Sequence, residues 1–239
     1  MKKCCIFVNG NMKTSEFYKA TASSHELLIS ADGASNRLFE LGIVPDYIVG
    51  DLDSIKSEVE EYYKTQKTVF IKFPAKKDKT DTELAIDLAK DMGYSNITML
   101  GFLGERLDHM LGNIFMLYYA QQLGLKLELV DENNKAWLIT KGKTKILNEK
   151  GRTISFITLG DNAYGITLKG FAAAKGIAPS DTPTRPIIIA ALPVSFSSLL
   201  YFFENNRVEI PIPIGGIQIA TPIIAGIVYT FSDTDKIIN

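Results

Sequence analysis

The chain is poor in the residues that build disulfide-bonded, zinc-binding and nucleic-acid-binding proteins. Its 239 residues include two cysteines, two histidines and one tryptophan, and its formal net charge is −1. The basic excess that a nucleic-acid partner calls for is absent. Cys4 and Cys5 are adjacent, so in a strand they face opposite sides and cannot easily pair with each other. With two well-separated histidines, no structural zinc site is predicted. We expect a cytoplasmic protein with reduced thiols.

Long helical hydrophobic runs are also missing. Lys2 and Lys3 are followed by only five apolar residues before Asn9, which does not predict a signal peptide. The segment 210–231 carries no charge and is long enough to raise the question of a membrane span. Its prolines and glycines, and the alternation of isoleucine with other residues from 210 to 214, predict buried strands instead. No membrane partner is expected.

What the sequence does contain is a regular alternation of apolar runs and helical segments. Strands are predicted at 4–8, 27–31, 47–49, 68–73, 97–100 and 125–130, and helices at 15–22, 34–41, 55–64, 81–92 and from 109 to about 122. Ser54 is predicted to cap the third helix, and Thr80 with Glu83 has the spacing of a capping box for the fourth. After residue 134 only short strands are predicted, including 143–147, 153–159 and 166–168. We therefore predict an α/β protein: a mostly parallel three-layer α/β/α domain over residues 1–133, and an all-β, sandwich-like domain over residues 134–239.

Acidic residues follow four of the predicted strands at the point where each strand ends. Parallel strands present their carboxyl ends to one edge of the sheet, where ligands bind. The residues expected to meet there are Asp32 after the second strand, Asp51, Asp53 and Ser54 after the third, Asp78 and Asp81 after the fourth, and Arg106 and Asp108 after the fifth. Asp87 and Asp91 are assigned instead to the solvated face of their helix.

Six carboxylates at one edge repel one another unless a cation lies among them. Mg²⁺ bound by a few carboxylates and by substrate phosphates is the usual arrangement in phosphoryl-transfer sites. Gly101 and Gly104 allow the backbone to approach a ligand, and the helix opened by Thr80 to Thr82 suits a phosphate. Arg106 offers a fork that matches phosphate oxygens. His109 either orients Asp108, contacts a phosphate or only caps its helix.

Four segments, in this order, resemble the catalytic domain of the thiamine pyrophosphokinase family. They are Asp32-Gly33-Ala34, Gly50 to Ser54, Lys77 to Glu83 and Gly101 to His109. The resemblance covers residues 1–170, and residues 171–239 lack the Ser-Asn pair with which the family helps to hold thiamine. It therefore assigns no residues to a thiamine pocket.

The resemblance implies a Mg²⁺-dependent homodimer that transfers the pyrophosphoryl group of ATP to thiamine, giving thiamine diphosphate and AMP. Carried over by motif, the metal and phosphate residues are Asp51, Asp53, Asp78 and Asp81. Catalysis falls to Asp51, Asp78, Asp81, Arg106 and Asp108, with either Asp78 or Asp108 as the base. ATP binding falls to Asp32, Gly33, Asp53, Ser54, Thr80, Thr82, Gly101, Gly104 and His109. Two other functions stay open: a metal-dependent nucleotide-sugar transferase, and a non-catalytic nucleotide- or thiamine-binding protein.

Overall fold

The computed structural model describes residues 2–74, 78–140, 144–146, 153–157 and 226–230. Five helices are found there: α1 (Ser15–Ser23), α2 (Ala34–Leu41), α3 (Ser57–Thr65), α4 (Asp81–Asp91) and α5 (Leu107–Gln122). The strands are β1 (Lys3–Phe7), β2 (Leu27–Ala31), β3 (Tyr47–Gly50), β4 (Val69–Lys72), β5 (Asn96–Leu100), β6 (Lys126–Val130), β7 (Asn134–Leu138), β8 (Thr153–Ile157) and β9 (Gly226–Thr230).

The strands form one sheet in the order β4-β3-β2-β1-β5-β6-β7-β9-β8. The first six strands are parallel to their neighbours, with Cys4 opposite Leu27 on β2 and opposite Ile97 on β5. Strand β7 is antiparallel to β6. The chain thus moves outward from β1 to β4 and then returns to place β5 on the other side of β1. This reversal creates a switch point between β1 and β5, where open α/β sheets bind their ligands.

Helices cover both faces of the sheet, and each face has its own apolar core. One core packs α1, α2 and α3 against the sheet and includes Cys5, Phe7 and Tyr63. The other packs α4 and α5 against the opposite face and includes Cys4 and Ile86. The two adjacent cysteines therefore point to opposite faces, as the strand period requires. The predicted α/β class with helices on both faces is confirmed.

Two of the predicted local features are wrong. Ser54 does not cap α3: the helix begins after Lys56, whose N–H donates to Asn36 Oδ1 at 2.9 Å, while the Ser54 hydroxyl donates to Asp53 Oδ1 at 3.0 Å. The strand predicted at 143–147 is also not found over the residues that the structure describes, since 144–146 lie outside any strand. The strand predicted at 166–168 lies outside the described residues.

The chain divides into two compact units. The first comprises Met1–Leu138, Leu147–Ser155 and Ile227–Asn239, and the second comprises Ile139–Ile146 and Phe156–Gly226. All of the predicted site residues belong to the first unit. The division into domains 1–133 and 134–239, and the sandwich-like form of the second, stay predictions because most of the second part lies outside the described residues. Among the helices that the structure describes, none is long and apolar enough to cross a bilayer.

Candidate active site

The loops after β1 and β5 meet at the switch point and are packed too closely for side chains. A Cβ atom on Gly10 would lie 2.0 Å from the carbonyl oxygen of Gly101, and one on Gly101 would lie 2.3 Å from the carbonyl oxygen of Val8. Gly101 also has φ 73°, a conformation that favours glycine. The Asn11 N–H donates to the carbonyl oxygen of Leu103 at 2.6 Å, which joins the two loops. The floor of the crevice is therefore bare backbone.

Three carboxylates lie together beside this floor. Asp32 follows β2, and Asp51 and Asp53 follow β3; each offers one oxygen, and these oxygens lie within 4.8 Å of one another. This is the group, among the described residues, in which three acids could share a metal ion. We call Asp32, Asp51 and Asp53 the acidic trio. Its all-oxygen donor set matches the preference of Mg²⁺.

The backbone of the trio is held in unusual conformations. Asp32 has φ 40° and Leu52, between the other two acids, has φ 65°. Leucine adopts this region rarely, and such a residue costs about 1–3 kcal/mol and is concentrated at functional sites. The turn is fixed by the Asp53 N–H, which donates to Asp51 Oδ1 at 3.3 Å. The strained loop therefore places an oxygen of each carboxylate within 4.8 Å of an Asp32 oxygen.

Asp32 is the buried member of the trio, with 7% of its surface exposed. No described residue donates a hydrogen bond to its buried Oδ1 atom. Burial raises the pKa of the carboxyl group, and the charges of Asp81 and Asp51 raise it further, while the nearby Ser54 hydroxyl and Gly33 N–H lower it. A buried acceptor without a donor is costly. A cation at this position would satisfy the oxygen and offset the repulsion, so the residues present fit a bound divalent metal.

Asp81 reaches the same place from the other face of the sheet. Helix α4 begins at Asp81 and crosses back over β3 and β2, which carries its first turn above the ends of those strands. A Cβ atom on Gly50 would lie 2.7 Å from the Cβ atom of Asp32 and 3.2 Å from the Cγ atom of Asp81. Gly50 is therefore a site residue that the sequence reasoning missed. Its position in the sequence, directly before Asp51, could have identified it as a site residue.

The amino terminus of α4 is built as predicted. Thr80 is the N-cap residue: its hydroxyl accepts from the Glu83 N–H at 3.3 Å, and the Glu83 carboxylate accepts from the Thr80 N–H at 2.7 Å. The capping box is confirmed. Thr82 lies in the first turn and is half-buried. This helix start faces the crevice beside Asp81, which suits a phosphate group.

The remaining predicted residues lie at the same edge but outside the trio. Asp78 is exposed in the loop before α4. Arg106 and Asp108 form a two-pronged ion pair, with Nε 3.2 Å from Oδ1 and Nη2 2.6 Å from Oδ2, and both side chains are about two-thirds exposed. The pKa of Asp108 is lowered, first by the hydrogen bond from Arg106. His109 is exposed in the first turn of α5, and Gly104 lies in the loop before that helix. The metal assignments of Asp78 and Asp81 stay predictions.

One further carboxylate organises this edge and was missed. Glu132, after β6, accepts from the N–H groups of Lys13 and Thr14 at 3.0 and 2.7 Å and from the Tyr18 hydroxyl at 2.8 Å. It thereby caps α1, whose own N-cap residue Thr14 makes no side-chain bond. The partners are more than 110 residues apart in sequence, so no local pattern reveals them.

Asp87 was assigned wrongly to a solvated helix face. Its carboxylate accepts from the Tyr119 hydroxyl at 2.7 Å and pairs with Lys79 at 2.5 Å, and its side chain is only 24% exposed. The partner on α5 could not be anticipated from the period of α4 alone.

The geometry as a whole describes a crevice with bare backbone, an acidic trio, a helix amino terminus and one exposed arginine. Such a site can hold a metal-bound polyphosphate.

Comparisons with known proteins agree with this description. The family model described as thiamin pyrophosphokinase, catalytic domain, matches residues 18–129. The thiamine pyrophosphokinase of Bacillus subtilis is 34% identical over 148 residues, which cover 62% of this chain and 69% of that protein. Thiamine pyrophosphokinase 1 of Oryza sativa is 29% identical over 136 residues, and the match spans 51% of its length.

Solved structures show the same relationship. The crystal structure of thiamine pyrophosphokinase from Bacillus subtilis superimposes with a TM-score of 0.58 at 30% identity, covering 67% of this chain and 76% of that chain. The enzyme from Geobacillus thermodenitrificans gives a TM-score of 0.53 at 27% identity, covering 67% and 74%. None of these relatives favours a nucleotide-sugar transferase or a non-catalytic binding protein. From its site, its sequence and its fold, the chain belongs to the thiamine pyrophosphokinase family.

Proposed function

We propose that the protein transfers the pyrophosphoryl group of ATP to thiamine, giving thiamine diphosphate and AMP, with Mg²⁺ held by the acidic trio. The observation that carries this proposal is the buried Oδ1 atom of Asp32, set among three more carboxylates in a chain of this family. The metal ion of a metal-bound polyphosphate would supply the positive charge that this arrangement lacks. Cytoplasmic location and a homodimer are part of the same proposal.

The residues of the chain divide the work of the transfer. Mg²⁺, when bound, would supply charge neutralisation to the phosphates. Asp32, Asp51 and Asp53 would hold the metal, and the amino terminus of α4 would receive phosphate oxygens. Arg106 stabilises charge on the phosphates. Asp78 or Asp108 accepts the proton of the thiamine hydroxyl group. Because the transfer needs little covalent help, fixed positions and charge supply most of the acceleration.

The test is an assay with ATP, Mg²⁺ and thiamine that measures both thiamine diphosphate and AMP. We expect the two products in equal amounts. Asp51→Asn should lower the rate by about 100-fold or more while the thermal unfolding curve stays cooperative. Asp91→Asn, the same change on an exposed side chain of α4, is the matched control and should keep full activity. Formation of ADP alone, or ATP binding without turnover, would refute the proposal.

A further inference from the structure

Lys79 lies between two predicted site residues, Asp78 and Thr80, but its ammonium group is engaged elsewhere. Its Nζ atom lies 2.5 Å from Asp87 Oδ2 and 3.2 Å from the Tyr119 hydroxyl oxygen. The Tyr119 hydroxyl in turn donates to Asp87 Oδ1 at 2.7 Å. We call this closed network of three side chains the Lys79 anchor. It joins the loop before α4 to the middle of α4 and to the second half of α5.

The anchor differs from an ordinary surface ion pair. Tyr119 packs against the apolar core under α4 and α5, and the Lys79 ammonium lies 5.8 Å from the centre of its ring. Asp87 and Tyr119 are both half-buried and hold each other in place, so the lysine meets a preformed acceptor pair. Little side-chain freedom is left to lose when such a pair binds a cation, and a network of this kind is stronger than an isolated exposed pair.

The position of the anchor in the chain gives it a consequence for the site. Thr80 is fixed by its capping box, and Lys79 by the anchor, so two successive residues have independent attachments. These attachments fix the backbone immediately after Asp78 and thereby limit where Asp78 can lie. The same contacts satisfy the charge of Lys79, which in this loop would otherwise be free to pair with the acids or with phosphates.

We propose that Asp87 and Tyr119 are positioning residues: by holding Lys79, they fix the segment Asp78–Thr80 at the entrance of the crevice and keep the lysine away from the bound phosphates. Neither residue touches the substrate. The kinetic part of this inference rests on the proposed function, because it concerns how Asp78 meets the metal-bound nucleotide. The structural part, the fixing of the segment, does not depend on any activity.

The first experiment measures hydrogen exchange of the peptide that contains residues 78–82, without ligands, in four proteins. Asp87→Asn and Tyr119→Phe should each speed exchange by about 10-fold, since local opening becomes easier when its attachments are lost. Tyr119→Phe keeps the ring in the core and so preserves the fold. Asp91→Asn, on the same helix, should match the wild type. Unchanged exchange in both of the first two variants would overturn the proposal.

The second experiment follows AMP formation as Mg²⁺ is varied. Because Asp78 stays a predicted metal residue, Asp87→Asn and Tyr119→Phe, which loosen its segment, should raise the Mg²⁺ concentration at half-maximal rate by about 10-fold, the usual scale for a residue that orients a metal ligand. Lys79→Arg should keep most of the wild-type dependence on Mg²⁺, and Lys79→Met should resemble Asp87→Asn. If Lys79→Met is impaired while Asp87→Asn is fully active, Lys79 acts on the phosphates directly and the proposal fails. An inactive wild type would contradict the proposed function, while the exchange result would still decide whether the anchor exists.

Discussion

Replacing Asp32 by asparagine separates the role of the acidic trio from the stability of the fold. Asparagine tolerates the positive φ of this position as well as aspartate does. The change removes one negative charge from beside Asp51 and Asp81 and leaves an oxygen for the hydrogen bond from the Gly33 N–H. The new amide group can put an N–H donor in the place of the buried Oδ1 atom, an acceptor for which no described donor exists. Without a metal ion, the variant should therefore be more stable than the wild type.

The size of this gain follows from two opposing contributions. An unpaired buried acceptor costs about 1–3 kcal/mol. Against this, the bond from the Gly33 N–H loses its charge assistance, which costs about 1 kcal/mol. The net gain is about 1 kcal/mol, which for a chain of this size raises the midpoint of thermal unfolding by about 2–4 °C. Saturating Mg²⁺ acts in the other direction, since at about 100 times its dissociation constant it stabilises the wild type by about 2.7 kcal/mol.

The assay is thermal unfolding in a chelator and in Mg²⁺, at several pH values. In the chelator, the raised pKa of Asp32 means that its ionisation opposes folding. The free energy of unfolding of the wild type should thus fall as the pH rises from the ordinary aspartate range through this raised pKa, and the variant should lack this fall. In Mg²⁺ the order of stabilities should reverse. A variant less stable than the wild type in the chelator, or equal stabilisation of both proteins by Mg²⁺, would refute the reasoning.

Four other changes test the surrounding structure. Glu132→Ala should cost about 2–3 kcal/mol in urea unfolding, because it removes three hydrogen bonds and a helix cap; a loss under about 0.5 kcal/mol would contradict the capping role. Gly50→Ala should lower AMP formation by about 10-fold or more, since its Cβ atom would push two carboxylates apart; normal kinetics would show that their spacing is unimportant. Arg106→Gln should raise the KM for ATP by about 10-fold with little change in the unfolding midpoint, since the residue is exposed; an unchanged KM would remove it from the nucleotide site. Finally, Cys4, whose pKa burial raises to about 12, and Cys5 should not react with a thiol reagent at pH 8 until the protein is unfolded; rapid labelling of the native protein would place them at the surface.

The fold was predictable where one element carries its own signals. Helix α2 was placed at its observed bounds because apolar residues at helical spacing end at Gly42, which adopts φ 66°. The start of α3 was misplaced because its cap comes from Asn36, twenty residues earlier. Capping by a distant side chain leaves no mark in the local sequence, and the same holds for Glu132 on α1.

The site was predictable as a set of loops but not as a set of distances. The order of strands and helices along the chain is enough to bring Asp32, Asp51 and Asp81 to one edge. It does not give the lateral order of the strands. Asp81 meets Asp32 because α4 leaves the outermost strand of the parallel region and returns over β3 and β2 to reach β5. That path depends on packing across the whole sheet, and it also explains why Gly50 has no room for a side chain.

The acidic trio and the Arg106–Asp108 pair are separate groups. This suits a reaction in which one group holds the metal and the other receives the proton of the incoming hydroxyl group. The trio is closely packed and partly buried, which suits a metal that stays in one place through the reaction. The pair is exposed, so the attraction between its members is screened and costs little to break. A polyphosphate that enters the crevice can therefore replace Asp108 as the partner of the Arg106 guanidinium group at a small cost in free energy. Released from Arg106, whose hydrogen bond is the largest cause of its lowered pKa, the Asp108 carboxylate becomes a stronger base. Binding of the nucleotide at one residue of the pair would in this way prepare the other to accept the proton of the incoming hydroxyl group.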